Sequence, residues 1–341
     1  MRIVSVVAAI LLFSLLGTAS YVGWQAYDFL CSPPETPGRE KIIHIEPGWT
    51  FDQVARTLKR ENLIKDIDRF RMLGRWKERI SRIKAGEFRL STGWTPSQVL
   101  DALTYGKPLL HKLRIPEGLT WWQTGRVIEE SGLAAFGSFE KAVHDTALLR
   151  EFHIPWDTAE GFLYPDTYYF KRPRDKDAVP IVRTMLRAFW DHAASKVWPE
   201  MRPSEKELRR IVILASMVEK ETGVASERRR IAGVFVNRIR KGMLLQCDPT
   251  VIYGLGTAFD GNLRRPHLKD KGNPYNTYRR RGLPPGPICS PGLDSLLAAK
   301  NPEEHNYLYF VSKGDGSHHF SATLREHNRA VRKYQLRRRR R

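Results

Sequence analysis

Hydrophobic positions along the chain change their spacing several times, and each change marks an element. Ile3 to Trp24 carries no charge. As a helix rising 1.5 Å per residue it would reach roughly 33 Å, the thickness of a bilayer's hydrocarbon core. The Pro-rich polar stretch Ser32-Pro33-Pro34-Glu35-Thr36-Pro37-Gly38 comes next and predicts an extended spacer. Ile42-Ile43-His44-Ile45 then predicts a short strand. Phe51, Val54, Ala55 and Leu58 recur at i, i+3, i+4 and i+7, which predicts a helix from about Thr50. A helix from Asp68 to Trp76, a strand over Glu87-Phe88-Arg89-Leu90 and a helix from Pro96 to Thr104 complete a small α+β unit.

Leu110 to Ile115 predicts a linking strand, and Pro116-Glu117-Gly118 opens a larger region. Its first marked feature is aromatic, Glu160-Gly161-Phe162-Leu163-Tyr164-Pro165-Asp166-Thr167-Tyr168-Tyr169-Phe170. This segment predicts a half-buried strand or loop whose rings pack a core or stack on sugar faces. Helices are expected over Asp177 to Val197, over Ser204 to Thr222 with a capping box from Ser204 and Glu207, and over Ser226 to Arg240, ended by Gly242. The pattern thus predicts an α+β protein: a single N-terminal transmembrane helix, a small α+β domain and a larger mixed α/β domain. The expected divisions are 1–27 for a stub and membrane helix, 28–40 for the linker, 41–109 for the small domain and 110–341 for the large one. The run Arg337 to Arg341 is expected to be a frayed basic tail.

Composition narrows the function classes. Of 341 residues, 41% are apolar, which excludes a disordered chain, and 57 Lys+Arg against 37 Asp+Glu leave a net charge of +20. Such a surface attracts nucleic acid, anionic lipid or an acidic polymer such as cell wall. Arg2 ahead of the apolar segment holds a short tail in the cytoplasm, so the bulk of the chain is expected on the far side of the inner membrane, in the periplasm. That location argues against nucleic acid as a partner, although Arg228-Arg229-Arg230 and Arg279-Arg280-Arg281 would suit one. A cleaved signal peptide ending near Gly17-Thr18-Ala19 is the alternative to a retained anchor. Cys31, Cys247 and Cys289 form no Cys-x-x-Cys pair, so neither a zinc site nor a disulfide scaffold is expected. His305, His318, His319 and His327 have no carboxylate at ligand spacing, and the adjacent pair in a Gly-rich turn is expected to lie exposed. No metal and no cofactor are expected.

Ile211 to Val218 is apolar on every side, which predicts a helix at the centre of the large domain. Glu219 and Glu221 at its end lie about 200° apart around the axis and cannot act as a pair. One should face solvent beside Lys220 while the other enters a cleft. Glu221 lies in the last turn, where apolar neighbours and the negative end of the helix dipole both oppose ionisation, so its pKa should rise. A carboxyl that stays protonated near neutrality suits protonation of a leaving oxygen. The plainer alternative is a helix-end glutamate paired with Lys220, Arg228 or Arg229. Gln246 and Asp248 beside Pro249, then Tyr275 and Asn276, then Gly282-Leu283-Pro284-Pro285-Gly286-Pro287-Ile288, offer hydrogen bonds and flat faces for a sugar. The same residue types also build turns.

Several of these segments together resemble one family over nearly the whole chain, the MltG (YceG-like) endolytic murein transglycosylases. The resemblance rests on Glu160-Gly161, Tyr164-Pro165-Asp166-Thr167, Ala215-Ser216-Met217-Val218-Glu219-Lys220-Glu221-Thr222, Phe235-Val236-Asn237-Arg238, Gln246, Asp248-Pro249-Thr250, Tyr275-Asn276-Thr277-Tyr278 and Gly282-Leu283-Pro284-Pro285-Gly286. It implies cleavage of the MurNAc-β-1,4-GlcNAc bond within a peptidoglycan strand, leaving a 1,6-anhydroMurNAc end, with Glu221 as catalytic acid. It also implies a membrane anchor, peptidoglycan synthases as partners, and termination of strand growth. The small domain, with Pro47-Gly48 and Thr50, resembles a LysM-like glycan-binding unit; a spacer without ligand is the alternative. Cys247 and Cys289 depart from the small or hydroxyl residues expected in relatives.

A glycosidase ordinarily needs two carboxylates. In a lytic transglycosylase the sugar's own 6-hydroxyl attacks, with an effective molarity on the order of 10⁵ M, so one acid can suffice. Glu221 would donate its proton to the glycosidic oxygen and then accept that of the 6-hydroxyl, with Gln246, Asp248, Tyr275 and Asn276 holding substrate. The alternatives are a hydrolytic muramidase using Asp248 as second carboxylate and a non-catalytic wall-binding anchor that recruits synthases.

Overall fold

The computed structural model describes residues 2–172 and 176–336, with side chains described for residues 11–172 and 176–335. The chain divides into two compact units, Met1–His111 with Tyr169–Arg174, and Lys112–Tyr168 with Asp175–Arg341. The expected boundary at 109/110 falls beside this division; the return of 169–174 to the first unit was not expected. The tail 337–341 lies outside the described residues.

In the first unit α1 (Arg2–Cys31) runs past its expected end. Phe29, only 6% exposed, joins the hydrophobic core of the unit, with Leu30 packed against it. The expected spacer is instead a docked strap. Ser32 N–H bonds Asp28 O (2.8 Å), Glu35 N–H bonds Thr92 O (3.1 Å), and the Thr92 hydroxyl donates to the Glu35 carboxylate (2.8 Å). Prolines stop the helix, and these three bonds hold the strap in place. Among the described residues no helix is long and apolar enough to cross a membrane. The expected span starts at Ile3, within residues 2–10, whose side chains lie outside the described set.

The strand β1 (Glu40–Ile45) pairs antiparallel with β2 (Gly86–Ser91), placing Ile43 opposite Phe88. Between them lie α2 (Phe51–Arg60) and α3 (Ile67–Trp76), and α4 (Pro96–Thr104) comes after β2. Thr50 caps α2: its hydroxyl accepts from Gln53 N–H while the Gln53 amide oxygen accepts from Thr50 N–H (2.7 Å). The predicted stripe Phe51, Val54, Ala55, Leu58 is buried throughout.

In the second part of the chain β3 (His111–Arg114) forms a two-stranded sheet with β4 (Thr167–Phe170). Between them come α5 (Trp121–Glu130), α6 (Phe136–Val143) and α7 (Thr146–Glu151). After β4, α8 (Val179–Ala188) passes through a π-helical stretch, Phe189–Ala194, into the short α9 (Ser195–Val197). Then come α10 (Glu205–Glu221), α11 (Arg228–Arg240), α12 (Asp248–Leu255), α13 (Arg265–Lys269) and α14 (Leu293–Lys300). The hairpin of β5 (Tyr309–Ser312) and β6 (His318–Ser321) and the helix α15 (Leu324–Val331) close the unit.

As the pattern predicts, α10 is central. Every residue from Ile211 to Val218 is buried, and the helix packs against α11 and α14. Its expected capping box is half formed. Ser204 accepts from Glu207 N–H, but the Glu207 carboxylate turns away to Lys300 and Trp198 Nε1. Pro249, expected in a turn, instead sits in the first turn of α12, where its missing N–H costs nothing.

Candidate active site

The last turn of α10 carries Glu221, and the next residue, Thr222, is already extended (φ −149°, ψ 136°). The Thr222 hydroxyl accepts from Val224 N–H (3.0 Å), bending the chain back through the 3₁₀ turn Ala225–Glu227 into α11. From α11, Arg238 gathers the rest of the site. Its buried guanidinium donates to Leu308 O (2.7 Å) and Leu245 O (2.6 Å), tying the approach to β5 and the segment before α12 to one side chain. Asn237 beside it donates to His305 O (2.6 Å) and Tyr307 O (3.2 Å). Gln246 takes a left-handed backbone (φ 52°), and its N–H bonds Thr277 O (3.1 Å).

These elements surround a cleft of about 480 Å³. Glu221, Arg238, Gln246 and Asp248 line it, together with Tyr278, Ser312, His318 and His327 and the apolar Phe235 and Phe310. The Tyr278 hydroxyl donates to Asp248 Oδ1 (2.6 Å). Glu221 is half-buried as a residue and opens on this cleft. Desolvation raises its pKa above the ordinary carboxylate value, and the negative charge of Asp248 adds to the rise. The Cys247 thiol, which hydrogen-bonds the carboxylate, and the neighbouring His318 imidazole and Arg238 guanidinium pull the other way, and the net direction is upward. The group is thus disposed to hold a proton where an ordinary glutamate would have lost one.

Glu219 goes to a different place, as the helical spacing requires, but it does not face solvent as expected. Its side chain is 7% exposed, accepts from Gly292 N–H (3.0 Å) and lies 3.7 Å from Arg228. Arg228 also faces Glu117 (3.7 Å) and Asp294 (3.4 Å). Arg229 bonds Asn301 O (2.9 Å) and Lys220 bonds Gly118 O (3.1 Å). None of the three cations that could have neutralised Glu221 as an ordinary helix-end residue does so.

Of the four expected substrate holders, Gln246 and Asp248 stand in the cleft with Glu221, while Tyr275 and Asn276 do not line it. Asn276 is fully buried and its amide is committed. The Nδ2 donates to Asp270 O (2.6 Å), His267 O (3.2 Å) and Leu268 O (3.3 Å), and the side-chain oxygen accepts from Tyr278 N–H (3.0 Å). It shapes the loop that presents Tyr278. Tyr275 packs against Tyr253, ring centroids 4.7 Å apart; burial, with the charges of Glu160 and Asp157, pushes its hydroxyl up to about 12. The loop Gly282–Ile288 is anchored to α10 through Ile288 N–H to Ser216 Oγ (3.0 Å).

Arg238, Tyr278, Ser312 and the histidines of the cleft were not expected there. Tyr278 belongs to the same motif as Asn276, and the motif alone does not say which of its members faces the site. His318 was expected to be exposed; strand alternation turns it inward instead, and its side chain is 11% exposed. Cys247 and Cys289 are both buried free thiols. Among the described residues no group of three or more His, Cys, Asp or Glu could hold a metal ion.

Residues 43–333 match the sequence profile of the YceG-like family. An endolytic murein transglycosylase of Bacillus subtilis is 31% identical, over 89% of this chain and 88% of that protein. One from Streptococcus pneumoniae is 26% identical over 96% of this chain, which spans 64% of the length of that relative. Among solved structures, the yceG-like protein of Listeria monocytogenes superposes with a TM-score of 0.57 at 30% identity, covering 85% of this chain and 98% of that one. With most of its length matched in profile, sequence and fold, the chain belongs to the YceG-like family.

Proposed function

We propose that this protein is an endolytic murein transglycosylase, a lyase that cuts the MurNAc-β-1,4-GlcNAc bond inside peptidoglycan strands and leaves a 1,6-anhydroMurNAc end, with Glu221 as the acid. The observation that carries this reading is the place of Glu221 on the wall of a polar cleft beside Gln246 and Asp248, where burial pushes its pKa upward and, among the described residues, no salt bridge holds it. The names of the relatives in Bacillus and Streptococcus support the substrate and the reaction. The protonated carboxyl gives its proton to the glycosidic oxygen as the bond opens. Gln246 and Asp248 are placed to hold sugar hydroxyl or acetamido groups, and Arg238 is placed to steady charge that develops in the cleft.

Digestion of purified murein, with product ends identified by mass spectrometry, tests the proposal. Anhydro-ended fragments are expected from the wild type and none from E221Q. Asp248 in the same cleft supports a second reading, hydrolysis with Asp248 activating water. Products heavier by one water would establish it. A non-catalytic wall anchor predicts instead that E221Q works in cells as well as wild type does.

The location and partners belong to the same proposal. The uncharged stretch from Ile3 to Trp24 and the exposed Leu11, Leu12, Phe13, Leu15 and Leu16 on α1 support an inner-membrane anchor, with the rest of the chain periplasmic and synthases within reach. The strand–helix–helix–strand order of β1, α2, α3 and β2 supports a LysM-like, glycan-binding small unit.

A further inference from the structure

One wall of the cleft is an imidazole held in a fixed orientation. His318 opens β6 opposite Ser312 of β5. Its backbone N–H donates to Glu227 Oε1 (2.9 Å), and its ring Nδ1 lies 2.7 Å from Glu227 Oε2. The two side chains are 11% and 10% exposed. Phe310 stands edge-on to the ring, with centroids 5.5 Å apart. Glu227 is there because the chain bends back directly after Glu221: six positions on, it bonds the His318 that lines the cleft with Glu221. A carboxylate that takes the Nδ1 proton leaves Nε2 as a bare lone pair. Among the described residues Nε2 has no hydrogen-bond partner, and the ring lines the cleft that Glu221 lines.

The other histidines lack this combination. His305 spends both nitrogens on the main chain, at Arg230 O (2.9 Å) and Tyr307 N–H (3.0 Å). His327 reaches the cleft stacked on Tyr309, but its Nδ1 is buried without a partner and no carboxylate orients it. Asp248, the other basic group of the cleft, has Oδ1 occupied by the Tyr278 hydroxyl.

We infer that His318, oriented by Glu227, is a second catalytic residue, the acceptor of the proton that the sugar 6-hydroxyl loses as it attacks. This rests on the transglycosylase reading above. Glu221 gives its proton to the glycosidic oxygen and the bond from that oxygen to C1 breaks. O6 then bonds to C1, and its proton passes to Nε2 of His318. The imidazolium so formed faces Glu227, and its proton returns to the Glu221 carboxylate through water, which restores both groups. The charged and titratable groups facing His318 are Glu221 from α10, Glu227 from the 3₁₀ turn, Arg238 from α11, Asp248 from α12, Tyr278 from the loop after it and His327 from α15. Dividing the two proton transfers leaves each to its own group, Glu221 as the acid and the imidazole oriented by Glu227 as the base.

The test uses the full chain and murein strands, scoring anhydro ends. In H318A, kcat is expected to fall about 10²–10³-fold with KM changed little. Imidazole added to the buffer should restore part of the H318A rate and none of the E221Q rate. E227Q keeps an acceptor for Nδ1–H but removes the charge. It is expected to lower kcat about tenfold with KM changed little. Should H318A fail to fold, E227Q alone decides. The inference is overturned if E227Q or H318A turns over at the wild-type rate, or if imidazole restores none of the H318A rate. If the wild type itself releases no anhydro ends, the reading of the cleft falls first.

Discussion

Glu221 owes its chemistry to the side chains packed around it, so single substitutions should move its titration in opposite directions. On the proposed mechanism, loss of its proton sets the alkaline limb of the rate, because the acid must be protonated to work. D248N removes a negative charge that raises the pKa, so this limb should shift to lower pH. C247A removes a donor that stabilises the carboxylate, so the limb should shift to higher pH. Both are read from kcat/KM against pH, and a common direction for the two would refute the account. Glu221 was legible in the sequence because helical phase is a local property: two residues separate it from Glu219 by more than half a turn. Which residues stand across the cleft was less legible, since that depends on contacts far apart in the chain. Asn276 and Tyr278 belong to one motif, yet one holds a loop from within while the other faces the site. His318 was misjudged for a related reason. Neighbouring histidines in a Gly-rich stretch look like a loop until a strand sends them to opposite faces.

At the level of elements, the site depends on what holds α10 and its neighbours together. Ser216 of α10 accepts from Ile288 N–H in a fully buried position. S216A would leave that N–H unsatisfied, and a loss of about 1–3 kcal/mol is expected in chemical denaturation. A second device is Glu160, 1% exposed, which accepts from Trp121 N–H (3.0 Å) at the start of α5 and hydrogen-bonds Tyr253 of α12. Burial pushes its carboxyl up to about 8 from an ordinary 4.5. Between those values the folded state binds a proton that the unfolded state releases. This group therefore subtracts stability as pH rises through the window, by at most about 1.4 kcal/mol per pH unit. E160Q carries no such proton, so its melting temperature should decline less than that of wild type from pH 5 to 8. A hydrophobic stripe announced α2 and an apolar run announced α10 in the sequence, because such signals act within a few turns. The half-formed cap at Ser204 was not legible, since Lys300 and Trp198, which draw Glu207 away, lie elsewhere in the chain.

For the molecule as a whole, the pattern predicts two folded parts and an apolar N-terminal segment joined by an open spacer, where the structure has a docked strap. Pro-rich composition predicts an open tether when nothing binds it, and here Thr92 and Gly93 do. Phe29 makes the attachment firm, so F29A is expected to destabilise the first unit by about 3–5 kcal/mol, measurable as a lower melting temperature. A chain begun at Gly38 should show a comparable loss, whereas one begun at Gln25 should not.

On the anchored reading, that single phenylalanine sets a working height. Gln25 to Cys31 spans about 10 Å of helix, and no slack lies beyond it. The small unit would then ride just above the lipid headgroups, like a foot on a short post.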